Sequence, residues 1–159
     1  MARDSICARG FFRVAIGEER DGRQVVVADS GWKKNTVTND GLNNYIAGAC
    51  GAATGSKQVS HLQLGHQTNA VNATQQALST EFNHGTLIRN SVDRSTIATG
   101  TFQATATFSS ALLTASTSLG AAALYNTSSS GSMVAGQSFT SSQWNTNQNV
   151  SATYQLRFS

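Results

Sequence analysis

The sequence predicts a mainly β protein, an antiparallel β-sandwich or jelly-roll-like barrel with one short helix. Three observations carry that expectation. The stretch Asn149–Phe158 alternates without a fault: Val150, Ala152, Tyr154, Leu156 and Phe158 fall on one face, and Ser151, Thr153, Gln155 and Arg157 on the other. That is the period of a strand with one buried and one wet face. Thr101–Phe108 repeats the pattern, setting Phe102, Ala104, Ala106 and Phe108 against Thr101, Gln103, Thr105 and Thr107. About eight strand-like segments follow one another at the spacing of an all-β fold. Apolar strand faces need a second layer to cover them, hence a sandwich or barrel that the last strand completes.

The composition fits. At 159 residues the chain is of single-domain size and can bury a proper core. Only 12% of residues are charged, well below the usual quarter, and 39% are hydrophobic. The difference is made up by small and polar residues, which suit outward strand faces packed against other copies or a scaffold. Proline is absent, as befits strands in continuous ladders. The net charge of +3 and the pI of about 9.2 rest on few charges. The basic residues are scattered: only Arg9, Arg13, Arg20 and Arg23, and the pair Lys33-Lys34, come close together. A nucleic-acid protein shows a denser basic stripe with aromatic platforms, so no nucleic-acid partner is expected. Cys7 and Cys50 are too few for a disulfide framework and read as reduced thiols. The start lacks an apolar core of signal-peptide length, and no run has the length of a membrane span. Production in the cytosol and no membrane partner are the expectations.

Taken in order, residues 1–9 read as a polar arm and residues 10–159 as one β domain. Phe11–Ile16 is a strand with Phe12, Val14 and Ile16 on one face, Asp21-Gly22 is a turn, and Gln24–Ala28 is a valine-rich return strand. The hairpin over residues 10–29 is a candidate for subunit contacts. A loop over residues 30–35 leads to the helix, capped by Thr38 or Asn39, striped by Leu42, Tyr45 and Ile46, and stopped by Gly48 and Gly51. Its glycines and asparagines make it weak in isolation, so it must lie on the sheet. Val59–Gly65 is a strand, Gln67–Gln76 a polar loop, and Leu78–Val92 a strand pair or one irregular strand. Thr96–Phe108 reads as one long strand, Ser109–Ser118 as a loop with a helical turn, and Leu119–Tyr125 as a small-residue strand. A serine-rich loop, a strand over Met133–Thr140 and a turn at Asn145–Gln148 lead into the last strand.

No catalytic motif emerges. Gly51–Lys57 has the order Gly-Ser-Lys where a phosphate loop needs Gly-Lys-Ser/Thr, and a strand follows it instead of a helix. His61, His66 and His84 lack the carboxylate or cysteine neighbours of a zinc site, and Glu81 stands three before His84 on a stretch that is not helical. Asp29, Asp40, Glu81 and Asp93 are too scattered to pair for acid–base work, and no serine sits in Gly-x-Ser-x-Gly. Expected catalytic residues, cofactors and metals are therefore none. The residues singled out as candidate subunit contacts are Arg9, Arg13, Trp32, Lys33, Lys34, Trp144 and Arg157, because basic and tryptophan side chains anchor interfaces. For Trp32 and Trp144 the structural alternatives are a cap on the hairpin's core end and a plug at the sandwich edge.

Thr38-Asn39-Asp40-Gly41-Leu42, His61–Gly65, Gln75–Leu78, the Thr/Ala/Phe strand, Leu119–Asn126 with Leu-Gly-Ala-Ala-Ala-Leu-Tyr-Asn, Met133–Ala135 and the closing alternating strand, taken in that order, resemble a family of small tailed-phage virion proteins. The resemblance covers about residues 31–159, and Phe11–Asp29 has no counterpart. It implies a non-enzymatic, β-rich subunit of the particle, most concretely a capsid decoration (cement) protein that stabilises the head lattice. The implied partners are other virion proteins, the major capsid protein first, and further copies of the chain, with a trimer as one arrangement; the implied location is the virion, assembled in the host cytoplasm. A tail, neck or fibre-attachment component is the alternative. A carbohydrate-binding sandwich is the third reading, with Trp32, Trp144 and Tyr125 stacking on sugars.

Overall fold

The computed structural model describes residues 7–46, 58–82 and 89–158. Two antiparallel sheets face each other. The first runs in the order β2 (Arg23–Asp29), β1 (Ala8–Arg20), β11 (Gln148–Phe158), β8 (Thr101–Phe108) and β7 (Asp93–Ala98), with the short β3 (Lys33–Lys34) also on β1. The second runs β4 (Thr36–Val37), β10 (Met133–Trp144), β9 (Thr117–Tyr125), β5 (His61–Gly65) and β6 (Asn90–Ser91). The sandwich is the alternative realised; the barrel does not close.

Alternation places the core. From the first sheet, Phe12, Val14 and Ile16, Ala104, Ala106 and Phe108, and Val150, Ala152 and Tyr154 point inward. They meet Leu62, Leu64, Leu119, Ala122, Leu124, Ala135 and Trp144 of the second sheet. The second sheet is covered on its other side too. Val71 and Leu78, from the segment after β5, pack on Ala121, Ala123, Tyr125 and Met133. Both faces of β9 are therefore buried, which is why its run is apolar without alternation and its residues are small. Gln63 is buried for the same reason and donates its amide to the Phe82 carbonyl at 2.6 Å.

The expected hairpin over residues 10–29 is present as β1 and β2, but its first strand is longer and lies inside the sheet; of the expected arm, residues 1–6 lie outside the described residues and Ala8 and Arg9 are already strand. β1 begins at Ala8 and pairs with β11 from Ala8↔Phe158 to Glu18↔Gln148. It is an inner strand, between β2 and β11, and its apolar face belongs to the core. Removing residues 1–28 would remove that face, so such a truncation does not leave an intact sandwich. The expected single strand Thr96–Phe108 is two strands, β7 and β8, joined by a turn at Thr99-Gly100 with Gly100 at φ 69°. The Asp21-Gly22 turn joins β1 to β2, and both residues have positive φ, 51° and 73°, as a two-residue hairpin turn of the primed kind requires.

The helix is one short π-helical turn, Gly41–Ile46. Thr38 caps it: its hydroxyl accepts from the Gly41 amide at 3.0 Å and donates to the Val134 carbonyl at 3.1 Å. Of the expected apolar stripe, Leu42 is 45% exposed and Ile46 half-buried. Contact with β10 is made through Gly41, where a Cβ would stand 2.2 Å from the Val134 carbonyl oxygen. Gly48, Gly51, the Gly51–Lys57 segment, Cys50 and His84 lie outside the described residues.

Candidate interaction surface

The odd-numbered residues of β1 and β11 form the outer face of the first sheet. Across the strands the register aligns Arg9 with Arg157 and Thr101, Phe11 with Gln155 and Gln103, and Arg13 with Thr153 and Thr105. Most of this face is a ladder of hydroxyls and amides. Gln155 donates to the Gln103 side chain at 2.8 Å, and Gln155 Oε1 accepts from Arg157 Nε at 3.0 Å and Nη2 at 2.6 Å. Arg157 also lies over two aromatic rings, 4.4 Å from the Phe11 centroid and 5.5 Å from that of Trp32. A guanidinium held in this way is pre-organised: its plane is fixed by stacking and one edge by the amide.

Six of the seven candidate contact residues are solvent-accessible; five lie along or beside this face, and Lys33, paired with the inward-pointing Phe12, falls on the other side. Arg9 is exposed and directly opposite Arg157. Lys34 is exposed and opposite Phe11, and Lys33 is exposed and opposite Phe12. Trp32, just before them, is 39% exposed. Arg13 is exposed but already committed: its guanidinium holds the Asp29 carboxylate with contacts of 2.5 to 3.1 Å. Arg13 holds the Asp29 carboxyl below the usual range against the opposing effect of burial, with further help from the Gly31 amide.

Trp144 is the exception: it is not available as a contact and instead takes the alternative role, a plug within the sandwich. It is fully buried, donates Nε1–H to the Gln148 carbonyl at 2.7 Å, and packs near Phe82. The turn between β10 and β11 brings that carbonyl back to the indole, so a tryptophan flanked by polar residues ends up in the core. Tyr125 is also fully buried. Of the three aromatic platforms proposed for sugars, only Trp32 reaches solvent.

A second concentration of polar chemistry lies beneath the serine-rich loop. Arg89 is 8% exposed, with its guanidinium 3.4 Å from the Tyr125 ring centroid. It donates to Glu81 Oε1 at 3.2 Å, to the Thr127 carbonyl at 3.5 Å and to the Ser130 carbonyl. The Tyr125 hydroxyl donates to Glu81 and accepts from the Leu78 amide at 3.0 Å. Burial, reinforced by that carboxylate, raises the Tyr125 hydroxyl well above the ordinary phenol range. A carboxylate already engaged by an arginine and a phenol is a clamp that pins the loop to the sheet rather than a free acid or base. Nothing local in the sequence signals it, because Glu81, Arg89, Tyr125 and Ser130 are brought together only by the sheet.

The histidines stand apart. His61 Nδ1 meets the Ser60 hydroxyl at 2.7 Å, and burial and the nearby Arg89 charge lower its pKa. His66 Nδ1 meets the Ser118 carbonyl at 2.8 Å, its ring edge-on to Phe82. Among the described residues no three His, Cys, Asp or Glu side chains converge as metal ligands, and no helix is long and apolar enough to cross a membrane. Phe11 was the outer-face aromatic that sequence reasoning passed over, although it was legible: if Phe12, Val14 and Ile16 point inward, Phe11 points outward. Comparison with protein-family models, with curated proteins and with solved structures finds no match to this chain.

Proposed function

We propose that this chain is a non-enzymatic structural protein of a tailed-phage virion, most concretely a capsid decoration protein that stabilises the head lattice. The observation that carries the assembly role is the free edge of the first sheet. β2 ends that sheet, and Val25, Val26 and Val27 are 39%, 61% and 38% exposed. An edge strand with three consecutive exposed valines is what free monomers avoid and subunits in contact with neighbours can carry. The charge-poor outer face beside it suits the same setting, and the motif order described above directs the reading to phage particles. The mechanism is linkage: a protein that binds the assembled shell and not its dissociated subunits stabilises the shell by mass action.

The test is to separate heads from tails of particles that carry this chain and to identify their proteins by mass spectrometry. A decoration protein is found in the heads in many copies, and adding it to shells that lack it raises their disruption temperature. Its presence only in the tail or neck fraction selects the alternative virion role. Its absence from particles overturns the proposal.

A further inference from the structure

The end of the outer face that holds Arg9, Lys34 and Arg157 carries cations that no carboxylate among the described residues approaches. Arg13, Arg20 and Arg89 each reach an acidic side chain. Arg157 instead rests on two rings and a neutral amide, and the residue directly across from it is another arginine. Like charges in directly opposite positions destabilise a sheet. The arrangement becomes favourable when an anion sits between them, and a stacked guanidinium with a free edge is shaped for a carboxylate. Beside the cations, Trp32 is 39% exposed and lies 5.5 Å from the Arg157 guanidinium. A partner covering this end therefore brings carboxylates and apolar side chains together, as a polypeptide does.

We infer that this end of the sheet docks an acidic segment of a partner polypeptide, its carboxylates on Arg9, Lys34 and Arg157 and its apolar neighbours against Trp32. The inference deepens the assembly reading and rests on it for identifying the partner as a shell protein. A nucleic acid fits less well. The positive charge stops after one cluster, because Arg13 is neutralised by Asp29 and the strands beyond offer hydroxyls and amides.

The two tryptophans provide a built-in readout. Acrylamide is expected to quench Trp32, which is 39% exposed, and to spare Trp144, which is fully buried. Titrating poly-L-glutamate at low ionic strength into the full chain is expected to protect the quenchable tryptophan, and added salt is expected to reverse the protection. Arg9→Gln and Arg157→Gln are each expected to weaken binding by about fivefold to tenfold, with circular dichroism confirming an unchanged fold. Arg157→Lys keeps the charge but loses the planar stack and fork, and should restore only part of the affinity. Arg23→Gln, on the far hairpin, should change nothing. No protection by poly-L-glutamate, wild-type affinity in Arg157→Gln, or equal protection by heparin or duplex DNA overturns the inference. Separately, normal uptake of an Arg9→Gln/Arg157→Gln chain into particles overturns the shell as partner and leaves the assembly role standing. Absence of the wild-type chain from particles overturns the assembly role and the shell partner together, while the poly-L-glutamate isotherm still stands for the patch.

Discussion

If β1 is an inner strand, truncating its central side chain must destabilise the whole sandwich. Phe12 is 1% exposed, its ring centroid is 5.0 Å from that of Tyr154, and the backbone beneath it is held in register with β11. The ladder on both sides leaves little freedom to collapse into the space, so Phe12→Ala should cost about 3–5 kcal/mol. In a domain of this size each kcal/mol moves Tm by about 2–4 °C, giving a fall of about 6–20 °C. Val26→Ala is the internal control: Val26 is 61% exposed on the neighbouring strand, and its truncation should stay within about 0.5 kcal/mol. Urea unfolding followed by far-ultraviolet circular dichroism, with thermal melts alongside, measures both. If Phe12→Ala proves as mild as Val26→Ala, the strand is a dispensable hairpin and its placement in the core is wrong.

Two further outcomes follow from the buried polar groups. Arg89→Met should cost about 3 kcal/mol, the low end for breaking a buried ion pair because Glu81 keeps the Tyr125 hydroxyl and some solvent. It should also make the loop Thr127–Ser130 a preferred site of limited proteolysis; unchanged cleavage there would mean that the clamp does not hold the loop. At alkaline pH the sign follows from Tyr125 and Tyr154, both raised by burial above the ordinary phenol value. Above about pH 10 the unfolded chain releases these protons and the folded chain keeps them, so stability falls with rising pH by up to about 2.7 kcal/mol per unit. Phenolate absorbance from these two residues should therefore appear together with loss of sheet signal; ionisation of both in an intact sandwich near pH 10 would refute their burial.

The strands with one wet face were readable because alternation is local. Val150, Ala152 and Tyr154, or Ala104, Ala106 and Phe108, announce their own burial. Phe158 continues the pattern yet is exposed, because alternation specifies a side of the strand and not how far the opposing sheet extends. The Thr99-Gly100 turn was hidden by threonines that read as strand on both sides, leaving one glycine as the signal. The position of β1 was not readable, since its partner lies at the other end of the numbering. The gathering of Arg9, Lys34 and Arg157 needed both that pairing and the β1–β3 contact. For Trp144 the plug reading holds and the contact reading fails, because its polar neighbours face the turn and solvent while the indole alone turns inward.

The pairing of β1 with β11 also bears on the order of events during synthesis. Ala8 and Phe158 are partners 150 positions apart (158 − 8). At about 5–20 residues per second, β1 leaves the ribosome roughly 8–30 s before its partner exists. During that interval the β1–β2 hairpin can close locally, but Phe12, Val14 and Ile16 have no permanent cover. A sandwich joined by such distant contacts folds slowly once complete. The nascent chain thus passes through a stage in which an apolar hairpin is open to chaperones or to other nascent copies, and that stage ends only when the last strand emerges and slots in beside the first.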